Sequence, residues 1–562
     1  MPSLKMGPNN IIRFLVLLTI SIYSIQAAHA QRYPITGVHT GVNASGARPA
    51  RRNILDMQND APTWSLYIQA LTAWQNMDES DMLSYFQVAG IHGLPFIPWN
   101  NVSAVPDWQW GGYCTHASVL FLTWHRPYLA LVEQLIASHA QQIAQSYNSS
   151  AYQAAANNLR IPYWDWASVP AMPDVVSEQY VQITTPSGVK TVANPLFQYK
   201  FHTFPLNPNY FPPNSGPCAN DPYTVRDTPE AVNNNLARQG LMSSTYFTFT
   251  KDTTFNLFCT YATSGPSLEA IHNNVHADVG GTNGHMSVLT YAALDPIFWL
   301  HHANVDRLFS LWEAIYPNQY LTSATEGQGT FAIPPGNLDT QSTPLEPFSS
   351  NSQGQFYTSA SSWKTSTFGY TYPEIQDWNQ TPAQLKANVT AIINRMYNPQ
   401  GTFPKRAATP GAQTKSWSVA LNVSRFDLQG ESFTVRVFLG HVPEKSEDWP
   451  LSSGCAGSFT VFPPPHQGNG RYPTLTAYYE IDLTKDLSDN GVDPTDVAAV
   501  EKWLEGNLNW GVQKFDLTVV PNEQIPSLQL VVQDADVTLP RDITELPTYG
   551  EVTLHPSITQ GK

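Results

Sequence analysis

The pattern of apolar and polar positions divides the chain into two unlike parts. From Thr63 to Ala89, Leu66, Leu71, Trp74, Met82, Tyr85 and Phe86 recur at helical intervals, which predicts a helix. Gly90-Ile91-His92-Gly93-Leu94-Pro95 closes it and leaves His92 on a loop or at a helix end. The next predicted helix follows the Trp110–His116 stretch and continues to about Tyr147, with the Gly111-Gly112 turn keeping His116 off it. Residues 175 to 260 read as short strands, Val181–Thr184 and Val189–Val192, among long Pro/Asn-rich loops. Two helices are expected between Pro266 and Tyr316, the second opened by Asp295 as N-cap and Pro296 at its first position. Residues 320 to 362 are again loop-rich, and a last helix spans Pro382 to Tyr397.

Beyond a Pro/Gly/Thr-rich stretch, Asn398 to Thr414, the period changes to two. Ser416–Val423, Ser432–Leu439, Leu475–Asp482, Lys514–Val520 and Leu528–Val532 alternate as half-buried strands do, so an antiparallel β domain, sandwich-like, is expected. The reading is a mainly α core over residues 31–400, a linker over 401–415 and an all-β C-terminal domain over 416–562.

Composition refines this picture. A chain of 562 residues is too long for one core. The net charge of -15 argues against nucleic acid and anionic membrane surfaces as partners. Lys5 and Arg13, the apolar run Phe14–Ile25 and Ala28-His29-Ala30 read as a signal peptide over residues 1–30, cleaved before Gln31, which predicts secretion. That run is short of the ~20 residues a membrane span needs. Six sequons, at Asn43, Asn101, Asn148, Asn379, Asn388 and Asn422, suit a secreted glycoprotein. Arg48, Arg51 and Arg52 read as a solvated arm. Lys405-Arg406 offers a dibasic site for proteolytic release of the C-terminal part. Four cysteines, Cys114, Cys218, Cys259 and Cys455, are too few for a disulfide-built scaffold.

The chemistry lies in the histidines. His272 and His276 are four apart on one predicted helix and share a face. On the next, Phe298, His302 and Asp306 fall at successive fours, offering a third imidazole, an aromatic to lean on it and a carboxylate to steady the turn. Upstream, Phe121 precedes His125 by the same spacing, and His116 and His92 complete a second triplet. Three neutral imidazoles suit copper or zinc, and two facing triplets make a binuclear centre. The lack of helix-borne acids at ligand positions disfavours di-iron carboxylate chemistry. Arg160-Ile-Pro-Tyr-Trp-Asp-Trp166 is too aromatic for an exposed loop and reads as core.

H-A-S-V-L-F-L-T-W-H-R-P-Y-L-A-L-V-E (116–133) and D-P-I-F-W-L-H-H-A-N-V-D (295–306) resemble the two copper signatures of tyrosinases. The likeness extends over residues 45 to 400, through I-H-G-L-P-F, P-Y-W-D-W and F-G-Y-T-Y-P, and is greatest to fungal members with a C-terminal β domain. It implies a four-helix bundle holding two copper ions, one on His92, His116 and His125, the other on His272, His276 and His302, with His301 turned elsewhere. It also implies a thioether between Cys114 and His116. Glu269 would hold a water that, with Asn273, takes the proton of an incoming phenol. The implied reaction uses dioxygen to ortho-hydroxylate monophenols or to oxidise catechols to o-quinones, in an enzyme latent until C-terminal cleavage. Three other readings share the ligand set: a catechol oxidase only, a zinc-dependent cyclopenase-like enzyme, and a hemocyanin-like oxygen carrier. With Cys114 so used, Cys218–Cys259 is one pairing open to the remaining thiols.

Overall fold

The computed structural model describes residues 31–106, 111–212, 217–398, 411–463 and 475–562. The signal-peptide reading, Trp110 and Lys405-Arg406 lie outside the described residues. Five helices frame the core: α1 (Ala61–Gln75), α2 (Phe121–Ala144), α3 (Leu268–Gly280), α4 (Ile297–Ile315) and α5 (Pro382–Met396). α2 packs on α1 and α4, and α4 on α5. α3 and α4 are buried over nearly their whole length, because each carries apolar or site residues on every face.

Their ends follow from capping. Asp60 accepts from the Thr63 amide at the start of α1, and Ser267 from Ala270 at the start of α3. Thr381 and Gln384 form a reciprocal capping box on α5. α4 begins one residue later than expected, with Pro296 at the cap, yet the Asp295 carboxylate still accepts from Ile297 N at 3.1 Å. α3 stops where Gly281 turns to φ 58°.

Several expectations are corrected. Thr63–Ala89 is two helices, α1 and Tyr85–Ala89; the intervening stretch holds Asp78 and Asp81, whose carboxylates accept from nearby amides and compete with helix bonds. The loop-rich reading of 175–260 missed the helices Pro229–Arg238, Leu241–Lys251 and Phe255–Cys259, whose short or amphipathic faces bury few residues each. The hairpin Tyr180–Thr185 with Gly188–Ala193 is where it was expected. No disulfide joins the four cysteines: Cys218 lies against Asn283 O, and Cys259 against Ser118 O and Val119 O.

The arginine arm is also not solvated. Arg51 is fully buried and binds Glu133 at 2.9 Å and Asp306 at 3.1 Å. Asp306 in turn takes Arg126 at 2.7 Å and the hydroxyls of Tyr370 and Tyr372 at 2.6 and 2.7 Å. Arg48 is buried against Asp377 and Tyr370 O, whereas Arg52 is half-exposed on Asp60. This network ties the N-terminal segment, α2, α4 and the F-G-Y-T-Y-P segment together one turn below His302. Removing one partner of a buried ion pair leaves an uncompensated charge, so Asp306→Ala should cost about 3–5 kcal/mol. A lowered urea midpoint for that variant checks this.

The C-terminal part forms two four-stranded antiparallel sheets. We number its strands β1 (Gln413–Ser424), β2 (Phe433–Leu439), β3 (Cys455–Val461), β4 (Thr476–Asp482), β5 (Leu508–Lys514), β6 (Val519–Val520), β7 (Gln529–Thr538) and β8 (Thr548–His555). One sheet has the order β4-β1-β7-β8, the other β6-β5-β2-β3. Along β1, Trp417, Val419, Leu421 and Val423 are buried and Ala420 and Asn422 are more open, the period-two pattern of its sequence, while Ser418 is buried on Glu480. Lys514–Val520 is not one strand: β5 ends at Lys514 and a turn with Leu517 at φ 67° precedes β6. β3, β5 apart from its last residue, β8 and the helices Thr484–Asp489 and Val497–Asn507 went unread in the sequence. Of the six sequon asparagines, Asn422 is half-buried in β1 with its amide on Gln529, while the other five are exposed.

The sandwich is docked on the helix that carries His272 and His276. The Asn274 amide donates to Ser458 O at 2.8 Å and accepts from Thr460 N at 2.9 Å, pairing with the β3 backbone through both ends. Tyr478 N donates to Tyr261 O at 2.8 Å, and Arg425 to Gln328 Oε1 at 2.7 Å. Gln328 belongs to a loop anchored by Glu326, whose Oε1 accepts from Gly329 N at 3.0 Å. Burial, with the Asp339 carboxylate beside it, raises the Glu326 pKa, so the folded protein holds a proton that the unfolded chain releases in the ordinary carboxylate range. Stability contributed by that proton is present at acid pH and lost as pH rises through the folded value. Glu326→Gln should therefore flatten the loss of Tm between acid and alkaline buffers, raising Tm at pH 8 but not at pH 4.

Candidate metal centre

Six histidines from a turn, a loop and three helices meet in the middle of the core. His92 sits in the turn after Tyr85–Ala89, His116 in the loop before α2, His125 on α2, His272 and His276 on α3, and His302 on α4. None is more than 3% exposed. Within the first triplet, His116 Nε2 lies 3.2 Å from His92 Nε2. Within the second, His302 Nε2 lies 3.1 Å from His272 Nε2 and 3.4 Å from His276 Nε2. The triplets face each other, with the His125 and His302 rings stacked at 4.4 Å and 20° and the His116 and His272 rings 5.9 Å apart.

Backbone and side-chain acceptors set the ring tautomers. His125 Nδ1–H donates to Phe121 O at 2.7 Å, His276 Nδ1–H to Met286 O at 2.8 Å, and His272 Nδ1–H to Asn273 Oδ1 at 3.0 Å. Each bond leaves Nε2 with a lone pair turned inward. Burial pushes His125 down to about 3 and His276 to about 4, and lowers the other four, so all six are neutral at ordinary pH. Inward lone pairs this close repel unless a cation lies between them. Two nitrogens on one ion at ~2.0–2.1 Å in near-tetrahedral geometry lie roughly 3.3 Å apart, close to the separations above. The residues present thus fit a pair of soft or borderline metal ions.

The leaning aromatics are where the spacing put them: Phe121 is 4.8 Å from His125 and Phe298 4.1 Å from His302. Cys114 Sγ lies 3.4 Å from His125 Nε2 and shares a donor cluster with His92 and His116. Glu269 is fully buried. It accepts from Ala117 N and from the Thr260 hydroxyl, both at 2.7 Å, and stands 3.4 Å from His116 Nδ1. Burial pushes its carboxyl up to about 8. Asn273 shows its Oδ1 to His272 and keeps an unpaired Nδ2.

Two residues near the centre escaped the sequence reading. His301 does not turn elsewhere: its ring stacks on His272 at 4.9 Å and 20° and meets His276 edge-on at 4.8 Å. The 100° step along α4 still leaves its ring against the two histidines of α3. Phe462, from the C-terminal sandwich, reaches in to 6.4 Å from the His276 ring and is 2% exposed. Its carbonyl accepts from Arg425 at 3.0 and 2.8 Å. The only sequence signal for it is a run of prolines, Pro463-Pro464-Pro465, directly after an aromatic residue.

Comparison with known proteins settles the family. A family profile described as the common central domain of tyrosinase matches residues 82–315, and one described as the tyrosinase C-terminal domain matches residues 416–532. A tyrosinase of Neurospora crassa is 30% identical over an alignment covering 94% of this chain and 98% of that protein. The chain belongs to the tyrosinase family. Polyphenol oxidase 2 of Agaricus bisporus is 38% identical across 75% of this chain and 80% of its own length. Among solved structures, recombinant mushroom tyrosinase superposes with a TM-score of 0.82 at 28% identity, covering 94% of this chain and 99% of that one. The pro-tyrosinase of Aspergillus oryzae, at 20% identity and a TM-score of 0.70, shares the fold. As a member of this family the protein is an oxidase of the tyrosinase/catechol oxidase type, with a type 3 binuclear copper centre, acting on phenolic substrates with dioxygen. No helix among the described residues is long and apolar enough to cross a membrane.

Proposed function

We propose that the protein is a secreted, latent tyrosinase that ortho-hydroxylates monophenols and oxidises catechols to o-quinones. His92, His116 and His125 hold one copper ion, and His272, His276 and His302 the other. The ion pair, when bound, supplies the dioxygen chemistry. The protein's own side chains do the remaining work. The buried imidazoles fix the separation of the metals, and the backbone acceptors of His125 and His276 hold their rings in the ligating tautomer. Phe121 and Phe298 wall the rings and keep water out. Glu269, pinned by Ala117 and Thr260, and the unpaired Asn273 Nδ2 are placed to orient a water that takes the phenol proton. Cys114, within reach of the first triplet, joins His116 through a thioether that stiffens its ring. Latency comes from Phe462, which occupies the approach to His276, and from the Asn274 bonds that hold the sandwich on α3; cleavage near Lys405-Arg406 releases it.

The convergence of six inward-facing, neutral imidazoles beneath a single aromatic plug carries this reading. Its test is elemental analysis of the secreted protein, combined with o-quinone absorbance from a phenol and a catechol before and after limited proteolysis. Two copper ions per chain and activity that rises on cleavage are expected. Zinc in place of copper, dioxygen uptake without turnover, or catechol activity alone would each replace it with a different reading.

A further inference from the structure

A cavity of about 310 Å³ lies in the seam between the helical core and the sandwich, and none of the six histidines lines it. That size suits a small organic molecule. One wall comes from the end of α3 and the helix Pro229–Arg238, the other from β2, β5 and the turn after β5. Each wall carries a buried charge. Asp278, on α3, is 3% exposed; its Oδ1 accepts from Gln239 Nε2 at 3.1 Å, and its Oδ2 has no partner. Arg436, on β2, is 9% exposed and donates to Gln513 Oε1 at 2.9 Å and to Ser458 Oγ at 3.0 Å, both neutral. Among the described residues neither makes an ion pair, although both line the same space. A charge this deep is costly unless an opposite charge or a full set of hydrogen bonds meets it. Asp227 and Glu230 add to the acidity of the core wall, whereas the sandwich wall holds Lys514 and Glu447 beside Arg436. On the exposed side stand two apolar side chains, Leu451 and Leu517.

We propose that this seam is a binding site for an α-amino acid with an apolar side chain. Its ammonium group donates to Asp278 Oδ2 on the acidic wall, its carboxylate accepts from the Arg436 guanidinium, and its side chain lies against Leu451 and Leu517. A ligand with one charge would leave the other buried charge unmet, and a ligand without an apolar part would leave the two leucines in water. Half of the site belongs to each domain. The ligand therefore binds only while the sandwich is docked, and by mass action it favours the docked state. Binding itself needs only the docked geometry; its effect on activation rests on the latency proposed above.

The test is calorimetric titration of the intact chain with L-leucine, which carries both charges and is no phenol. One site per chain is expected. Isocaproate, which lacks the ammonium group, and isoamylamine, which lacks the carboxylate, should each bind at least ten-fold more weakly, since a hydrogen bond to a charged group is worth about that factor. Asp278→Asn keeps the shape of the wall and should weaken L-leucine binding to a similar extent. Amino acids also chelate copper, so equal L-leucine binding by this variant and the parent would assign the heat to the metal and overturn the inference. No heat from L-leucine, or equal affinity for all three compounds, would overturn it too and leave a seam filled by water. The three-compound comparison on the parent chain decides the matter even if the variant does not fold. With the linker cut, L-leucine at 100 times its Kd should slow the appearance of o-quinone activity by up to about 100-fold. Selective binding of L-leucine with no slowing would uphold the site and count against the latency reading instead.

Discussion

Replacing His276 by Gln should lower bound copper from two ions to about one per chain and reduce o-quinone formation from a catechol by more than 100-fold. His276 is fully buried and presents an inward Nε2 lone pair 3.4 Å from His302 Nε2, with its other nitrogen committed to Met286 O. A Gln at that place cannot supply a rigid, neutral nitrogen donor. Loss of a mere supporting partner of a metal ligand already costs about 10- to 100-fold, so loss of the donor itself should exceed that. The same substitution at His139, a histidine on the far part of α2 and outside both triplets, should leave copper content and activity alone. Elemental analysis and quinone absorbance on the purified chains check both halves. A His276→Gln protein that keeps two copper ions and its activity would remove His276 from the site.

Replacing Phe462 by Ala should make the uncleaved chain active. The ring lies 6.4 Å from that of His276, is almost wholly buried, and is held by Arg425 through its backbone carbonyl, so the substitution removes the proposed plug and leaves its support in place. On the proposed reading, a phenol entering the parent protein must first expel this ring. Burial of a Phe side chain amounts to about 1.5–3 kcal/mol, a factor of roughly ten to a hundred in apparent affinity. That gain should appear as a lower KM for catechol in the intact variant. After proteolytic release of the sandwich, parent and variant should be indistinguishable, because the differing residue has left with the domain. Equal activity of the two intact chains would mean that Phe462 does not close the site.

How much of this was legible in the sequence varies with the physics of each element. The ligand pairs on α3, and the aromatic four residues before His125 and before His302, were readable because a helix fixes which residues share a face, and those helices are long and strongly patterned. His116 was readable only as an exception, since nine residues of helix would have turned it away from His125. The arginine arm was misread because sequence shows charge but not the partners that neutralise it. Arg51 is buried only because Glu133, Asp306 and Tyr372 arrive from three distant segments. His301 failed for a related reason, since its environment is set by the α3 histidines that meet its ring and not by its own helix. Phe462 lies in a different domain from the residues it covers, and nothing local marks such a contact. Short helices between 229 and 259 were missed because their apolar stripes are too brief to stand out from loops.

The burial of Arg51 also bears on how the molecule can be shortened or tethered. The first described stretch, although it precedes every helix of the core, is stitched through the carboxylate one turn below His302. A truncated version that starts after residue 52 would lose one of the two arginines paired with that carboxylate, Arg126 being the other, and slacken the floor of the metal pocket. Fusion tags and immobilisation linkers should therefore be attached ahead of this stretch, with Arg48 and Arg51 left in place.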